Sequence, residues 1–324
     1  MRKNVNWKIW GIFFVMLFLL VVGLATSLDR KKEDKKEIVL ILKVIDENND
    51  FWSAFIQGAE IAAKEYNTEL KIVGPDAETK YEEQGVLIEE AIECKPDAIV
   101  LAPSNYTETV RYAKKIEEEK IPLVLVDSVM EEAMGSCVVA TDNVEAGRKM
   151  GEYIAENFDH ISRIGVVGHV KGASTANERE NGLRDGLGSL EEKIADVVFC
   201  DSDYRKAYLV TKQMLEEFPD INVIVGLNEY SSVGAAEAVT DLGLEKQIRM
   251  IGFDSSIKEV EYLEDETFQA IVVQKPLNMG YLSVEKTVQL LEKESIPETV
   301  DSGSVLITKK TMYTEENQKL LFPF

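Results

Sequence analysis

Short aliphatic runs alternate with helix-length amphipathic segments through most of the chain, and each run ends in a polar or aromatic residue. Residues 38–45 lead into Asn48, Asn49, Phe51 and Trp52. Residues 122–126 stop at Asp127, and 137–140 stop at Thr141, Asp142 and Asn143. Residues 164–168 precede a segment carrying Asn177 and Arg179; 222–227 stop at Asn228, 250–253 at Asp254 and 270–273 at Gln274. Such runs, with further ones at 70–73, 98–102 and 197–199, have the pattern of strands buried on both faces of a parallel sheet. Between them the periodicity predicts helices at 52–66, 81–94, 107–118, 145–157, 177–187, 205–218, 232–242 and 257–263. The spacing suits right-handed βαβ crossovers. The expected fold is α/β, with two doubly wound parallel-sheet lobes. In open sheets of this kind ligands sit beyond the carboxyl ends of the strands. A chain with Asn, Asp, Arg, Gln, Phe and Trp at those ends is expected to enclose a small, polar, ring-shaped molecule.

With 324 residues there is chain enough for two cores. The amino-terminal stretch differs in kind: residues 1–8 are basic, 9–25 carry no charge, and 29–37 are a charged tether. It reads as an uncleaved membrane anchor or a signal peptide, with the anchor favoured, so the rest is expected in the cell envelope outside the cytoplasm. Seventeen residues is short for a span, and Trp7, Lys8 and Trp10 suit an interface. Residues 1–36 hold 8 Lys/Arg and 3 Asp/Glu, leaving 28 and 55 downstream. A surface that acidic repels nucleic acid and anionic lipid. Cys94, Cys137 and Cys200 show no metal spacing. They read as small buried hydrophobes, without a Cys94–Cys137 disulfide.

The candidate ligand-binding residues are Asn49, Phe51, Trp52, Asp127, Arg179, Asn228, Asp254 and Gln274. A sugar entering a dry cleft exchanges water hydrogen bonds for protein ones, or loses about 1–3 kcal/mol for each buried group left unpaired. Carboxylates and amides suit vicinal hydroxyls, Arg179 donates in a fork, and Phe51 and Trp52 offer flat faces to the C–H side of a ring. Each Asp or Asn after a strand has a plainer use as a helix cap or turn residue. Their joint occurrence in order favours the cleft.

Taken in order, 48–52 with 57–60, Val126-Asp127, 141–143 with Ala146 and Gly147, 174–179 with Asn181 and Gly182, 227–229, 252–254 and Val273-Gln274 resemble type I periplasmic binding proteins of the ribose- and galactose-binding kind. The resemblance covers roughly residues 38–310. It implies lobes joined by a hinge of three crossings, near 140–142, 274–276 and 301–304. That divides the chain into 1–36 as the amino-terminal segment, 37–140 plus 275–303 as lobe 1, and 141–274 plus 304–324 as lobe 2. Asn49, Phe51, Trp52 and Asp127 would come from lobe 1 and Arg179, Asn228 and Asp254 from lobe 2, with Gln274 near a hinge. Ser128 stands where ribose-type proteins usually have Arg, and Glu229 where Asp is commoner, the latter expected as a hinge-side or cap difference. Tyr204 and His169 lie within possible reach of the cleft, His169 being read chiefly as a satisfied loop histidine.

The implied function is capture of a sugar or polyol by lobe closure and presentation to a membrane permease. The alternative is a sensor that shows its closed form to a membrane histidine kinase or chemoreceptor. No cofactor or metal is expected, and the exported part is expected to be monomeric. A transcriptional repressor shares the core, but the 36 residues ahead of it are no helix-turn-helix. An enzyme is disfavoured: no nucleophile–base pair or phosphate loop is visible, and nothing raises one member of an Asp127–Asp254 pair into a glycosidase acid.

Overall fold

A computed structural model describes residues 35–322 and Met16. Segment 9–25, on which the membrane expectation rests, lies outside the described residues except for Met16. Among the described residues no helix is long and apolar enough to cross a membrane.

The aliphatic runs become strands because both of their faces are covered. In β1 (Glu37–Ile41), Ile38 and Leu40 pack with Leu42 into one core, while Val39 and Ile41 enter the core on the opposite side. Around β1 lie β2 (Glu69–Val73), β3 (Ala98–Leu101), β4 (Leu123–Val126), β5 (Cys137–Ala140) and β11 (Thr299–Asp301). Their order is β11-β5-β4-β3-β1-β2, every pair parallel. Helices α1 (Asp50–Glu65) and α9 (Pro276–Leu291) cover one face. Helices α2 (Tyr81–Cys94) and α3 (Val110–Glu118) cover the other.

A second sheet has the order β12-β10-β9-β8-β6-β7, built from β6 (Arg163–Gly168), β7 (Ile194–Phe199), β8 (Ile221–Gly226), β9 (Arg249–Phe253), β10 (Phe268–Gln274) and β12 (Ser304–Ile307). Helices α4 (Asn143–Asn157) and α5 (Ser174–Leu187) lie on one face. On the other lie α6 (Tyr204–Glu217), α7 (Glu229–Asp241) and α8 (Ile257–Glu264), while α10 (Glu315–Leu321) lies near the carboxyl end. Two α/β lobes are thus present. The second sheet is parallel except for β12, which runs antiparallel to β10. The cause is local: β11 and β12 are joined by a tight turn at Gly303, whose φ of +85° suits glycine, and the chain re-enters the neighbouring sheet reversed.

Three expectations are corrected. The run 38–45 is not a strand throughout: β1 ends at Ile41, and Lys43 turns toward the strand-end cleft. Cys94 is exposed rather than buried, because it closes α2 just before the left-handed Lys95; Cys137 and Cys200 are buried, and all three are free thiols. Helices α4, α5 and α7 begin two or three residues earlier than periodicity suggests. Their first turns hold Asn143, Ser174, Thr175 and Glu229, polar residues that face a cleft or a cap and so do not register as an apolar stripe.

Candidate functional site

The strand ends of both sheets meet across one cleft. Asn49, Phe51, Trp52, Asp127, Arg179, Asn228, Asp254 and Gln274 all line it, together with Lys43, Glu78, His169, Thr175 and Tyr230. The cavity between them is about 30 Å³, so the two walls lie nearly shut.

The first sheet supplies an aromatic corner and an ion pair. Asn49 caps α1, its side chain accepting the Trp52 amide at 3.0 Å, and this sets Phe51 and Trp52 on the first turn. The two rings meet edge to face at 5.0 Å, and the Trp52 indole donates to Glu78 at 3.2 Å. Asp127 follows β4 with φ at +63°, a left-handed conformation unfavourable for a residue with a side chain. Its carboxylate meets Lys43 Nζ at 2.7 Å, both groups buried. Ser128 turns away from this pair and donates to the Pro103 carbonyl at 2.9 Å.

The second sheet supplies a tighter network. Arg179 is fully enclosed; its Nε donates to Asn143 Oδ1 and its Nη1 to the Leu227 carbonyl, both at 2.8 Å. Its guanidinium lies 3.9 Å above the Phe253 ring. Burial lowers its proton affinity, against the pull of Asp254 and Asp127. Asp254, at the end of β9 with φ at +89°, accepts from Gln274 Nε2 at 2.7 Å and from the Glu229 amide at 2.9 Å. Burial pushes its carboxyl up, opposed by Arg179 and these two donors. Asn228 caps α7 through Ser231 while lining the cleft, so the cap reading and the cleft reading coincide there, as they do at Asn49.

Two buried polar atoms of residues lining the cleft lack protein partners: the amide oxygen Gln274 Oε1 and the ring nitrogen His169 Nδ1. His169 pairs only through Nε2, with the Thr175 hydroxyl at 2.9 Å, so the expectation of a satisfied loop histidine is corrected. Burial, with Arg179 and Lys43 nearby, pushes its proton affinity well below the ordinary histidine range and keeps it neutral. An unpaired amide oxygen at a cleft calls for a hydroxyl or N–H donor, and a neutral imidazole nitrogen is met by a hydroxyl in either tautomer. Tyr204 sits outside this lining, its ring 4.6 Å from Tyr230 and its hydroxyl on Glu229.

Sequence reasoning missed Lys43, Glu78, Thr175 and Tyr230. Lys43 carried a signal, being the one charge inside an otherwise aliphatic run. Glu78 and Tyr230 carried none, one lying in a polar loop and the other within a helix.

Both walls are bridged by bonds from lobe to lobe. Tyr230 donates to Asp46 at 2.7 Å, Ser202 to Glu78 at 2.6 Å, the Ile257 amide to Asp50 at 3.0 Å, and the Val129 amide to Ser174 at 3.0 Å.

Comparison with known proteins agrees with this arrangement. The ribose import binding protein of Bacillus subtilis is 26% identical over 277 residues, 86% of this chain and 89% of that protein. The D-allose-binding periplasmic protein of Escherichia coli is 24% identical over 84% of this chain and 92% of its own length. A sugar transporter structure from Clostridium phytofermentans matches at 44% identity with a TM-score of 0.80, covering 85% of this chain and 100% of that one. An ABC transporter solute-binding protein from Agrobacterium vitis, bound to D-fucose, matches at 30% identity and a TM-score of 0.84, over 88% and 100%. The profile of the periplasmic binding protein domain spans residues 38–295, and the chain belongs to that family.

Proposed function

We propose that this chain is an extracytoplasmic solute-binding protein that captures a small sugar or related polyol by closing its lobes and presents it to an ATP-driven membrane importer. The observation that carries the reading is the convergence of eight strand-end residues on one cleft where two buried polar atoms, Gln274 Oε1 and His169 Nδ1, lack protein partners. The family is one of binding proteins for transport rather than enzymes, and its members named above bind ribose, allose and fucose.

In this reading Asp127, Asp254, Asn49, Asn228 and Gln274 exchange hydrogen bonds with hydroxyls. Arg179 offers the donors not used on Asn143 and Leu227, and Phe51 and Trp52 close over the ring. Lys43 joins them: it brings a cation to Asp127 where Ser128 brings none. The lobes comprise 37–140 plus 275–303 and 141–274 plus 304–324, the soluble part is a monomer, and residues 9–25 hold it to the membrane. A ligand touching both walls shifts the closure equilibrium by its preference for the closed form.

Titration of the full-length protein with D-ribose, D-allose and D-fucose tests the reading, following tryptophan emission, with Trp52→Phe to subtract Trp7 and Trp10, and melting temperature together. A saturable change with one of them, and stabilisation of about 2.7 kcal/mol at a hundredfold excess over Kd, is expected. No response in either signal across a wider panel of pentoses, hexoses and polyols would sink the sugar assignment. Retention of the protein in washed membranes, lost on removing residues 1–36, tests the anchor.

A further inference from the structure

Glu229 opens α7 on the second sheet, yet its side chain serves the first. Its Oε2 accepts the Phe51 amide at 3.3 Å and its Oε1 the Asp50 amide at 3.4 Å. These are the first two free amides of α1, and the next, that of Trp52, is taken by Asn49. The helix that presents Phe51 and Trp52 is therefore capped jointly by its own lobe and by the opposite one. Opening the cleft would separate Glu229 from both amides and return it to water.

The surroundings of the closed position are acidic. Asp50 on α1, Asp254 after β9 and Glu259 on α8 all raise the field against a charge at Glu229 or next to it. Tyr204 on α6 places its hydroxyl on Oε1, and Tyr230 on α7 turns instead to Asp46, with Glu78 beyond. The cations close by are committed elsewhere. Arg179 on α5 faces Asp254, and Lys43 faces Asp127. Lys275 and Lys319 line a separate cavity beside Asp50, and Lys319 pairs with Glu315. A carboxylate drawn from water into such a place is more stable protonated.

We propose that Glu229 is a positioning residue for ligand capture: as the lobes close it leaves water, completes the cap of α1 from the opposite lobe, and takes up a proton. The proton comes from solvent to Oε1; the Tyr204 hydroxyl, which donates to the ionised Oε1, turns to accept from the protonated one, and Oε2 stays free to accept the Phe51 amide. Burial, chiefly, holds the Glu229 carboxyl at about 8 in the closed form, against an ordinary value of 4.5, even though the bonds from Tyr204 and the Phe51 amide pull the other way. Closure thus gains a proton between those limits, and low pH favours the closed form.

This inference rests on the sugar-capture reading, and the test separates the two. For whichever of D-ribose, D-allose or D-fucose gives a saturable heat, Kd of the full-length protein is expected to rise about tenfold per pH unit between pH 5.5 and 7.5. Glu229→Gln, which mimics the protonated form, is expected to bind with a flat profile and more tightly than wild type at pH 7.5. Glu229→Ala, which loses the cap, is expected to bind more weakly at both ends. A flat wild-type profile, or the same slope in Glu229→Gln, overturns the proposal. If no sugar binds, the sugar reading fails, and small-angle scattering of the ligand-free protein decides the inference. A compact wild type at pH 5.5 that expands by pH 8.5, with Glu229→Gln compact at both, upholds it; no expansion, or equal expansion in the variant, overturns it.

Discussion

The two walls of the cleft carry similar residue types but handle their charge differently. On the first wall Asp127 is matched by Lys43 at 2.7 Å, so the pair neutralises itself whatever the second lobe does. On the second wall Arg179 faces Asp254, while Glu229 and Glu259 add two further carboxyls whose proton affinity burial raises. The Lys43–Asp127 pair is self-contained in charge, whereas the carboxyls of the second wall depend on protons. One wall can hold its shape in the open protein, and the other reaches its final electrostatic state only when covered.

The largest effect should come from breaking the self-contained wall. Asp127→Ala leaves the Lys43 ammonium buried without a partner and is expected to destabilise by about 3–5 kcal/mol, measured by urea unfolding. The double variant Lys43→Met with Asp127→Asn, asparagine being a residue that tolerates the left-handed backbone, should recover most of that loss while binding no sugar. A single variant as stable as the double would refute the buried-pair account. On the second wall, Arg179→Met removes charge-assisted bonds to Asn143 and Leu227 worth about 1.5–3 kcal/mol each before relaxation. It should also weaken sugar binding at least a hundredfold by calorimetry. Unchanged affinity would remove Arg179 from the ligand's contacts.

Melting temperature against pH sharpens the contrast. Glu229, Glu259 and Asp254 hold protons in the folded protein at pH values where the unfolded chain has released them. Their contribution is complete below the ordinary carboxyl range and is lost as pH rises above it, for Glu229 up to about 8. His169 acts in the opposite sense: held neutral in the fold, it lowers stability as pH falls below its ordinary value of 6.5. The melting temperature is expected to fall by on the order of 5 °C between pH 6.5 and 8.5, with a smaller fall in Glu229→Gln. A rise over that interval would contradict the proton-dependent wall. The smallest effect belongs to Glu78→Gln, which weakens the hold on the Trp52 indole. About 0.5–1.5 kcal/mol of stability should be lost, with a shift in Trp52 emission. No shift would mean that the indole does not sense Glu78.

The fold was legible because two-faced burial leaves a plain record: aliphatic runs such as 98–102 and 122–126 have no other use. The eight cleft residues were legible for a related reason, since strand ends are where a doubly wound sheet exposes side chains to one another. What escaped notice depended on side-chain direction. Lys43 lies in a run that reads as strand to residue 45, but the strand ends at Ile41 and the ammonium swings to a partner 84 positions along the chain. Glu229 was expected as a cap or hinge-side difference. It is indeed a cap, of a helix in the other lobe, a relation that sequence spacing does not encode. Helix α9, strands β11 and β12 and helix α10 went unread; the two strands, three and four residues long, are too short to leave aliphatic runs like those at 98–102 and 122–126.

The interleaving of the two sheets bears on how the chain reaches its destination. Strand β11 closes the edge of a sheet whose other five strands end at residue 140, and α1 lies against α9 through Gly58, where a Cβ would come within 1.9 Å of the Leu277 carbonyl oxygen. The second sheet in turn waits for β12. A polypeptide emerging amino end first can therefore finish neither sheet until nearly all of it has been synthesised, and loop closure over such separations is slow. Until those last strands arrive, both sheets keep an open edge, and neither lobe can lock into its final shape.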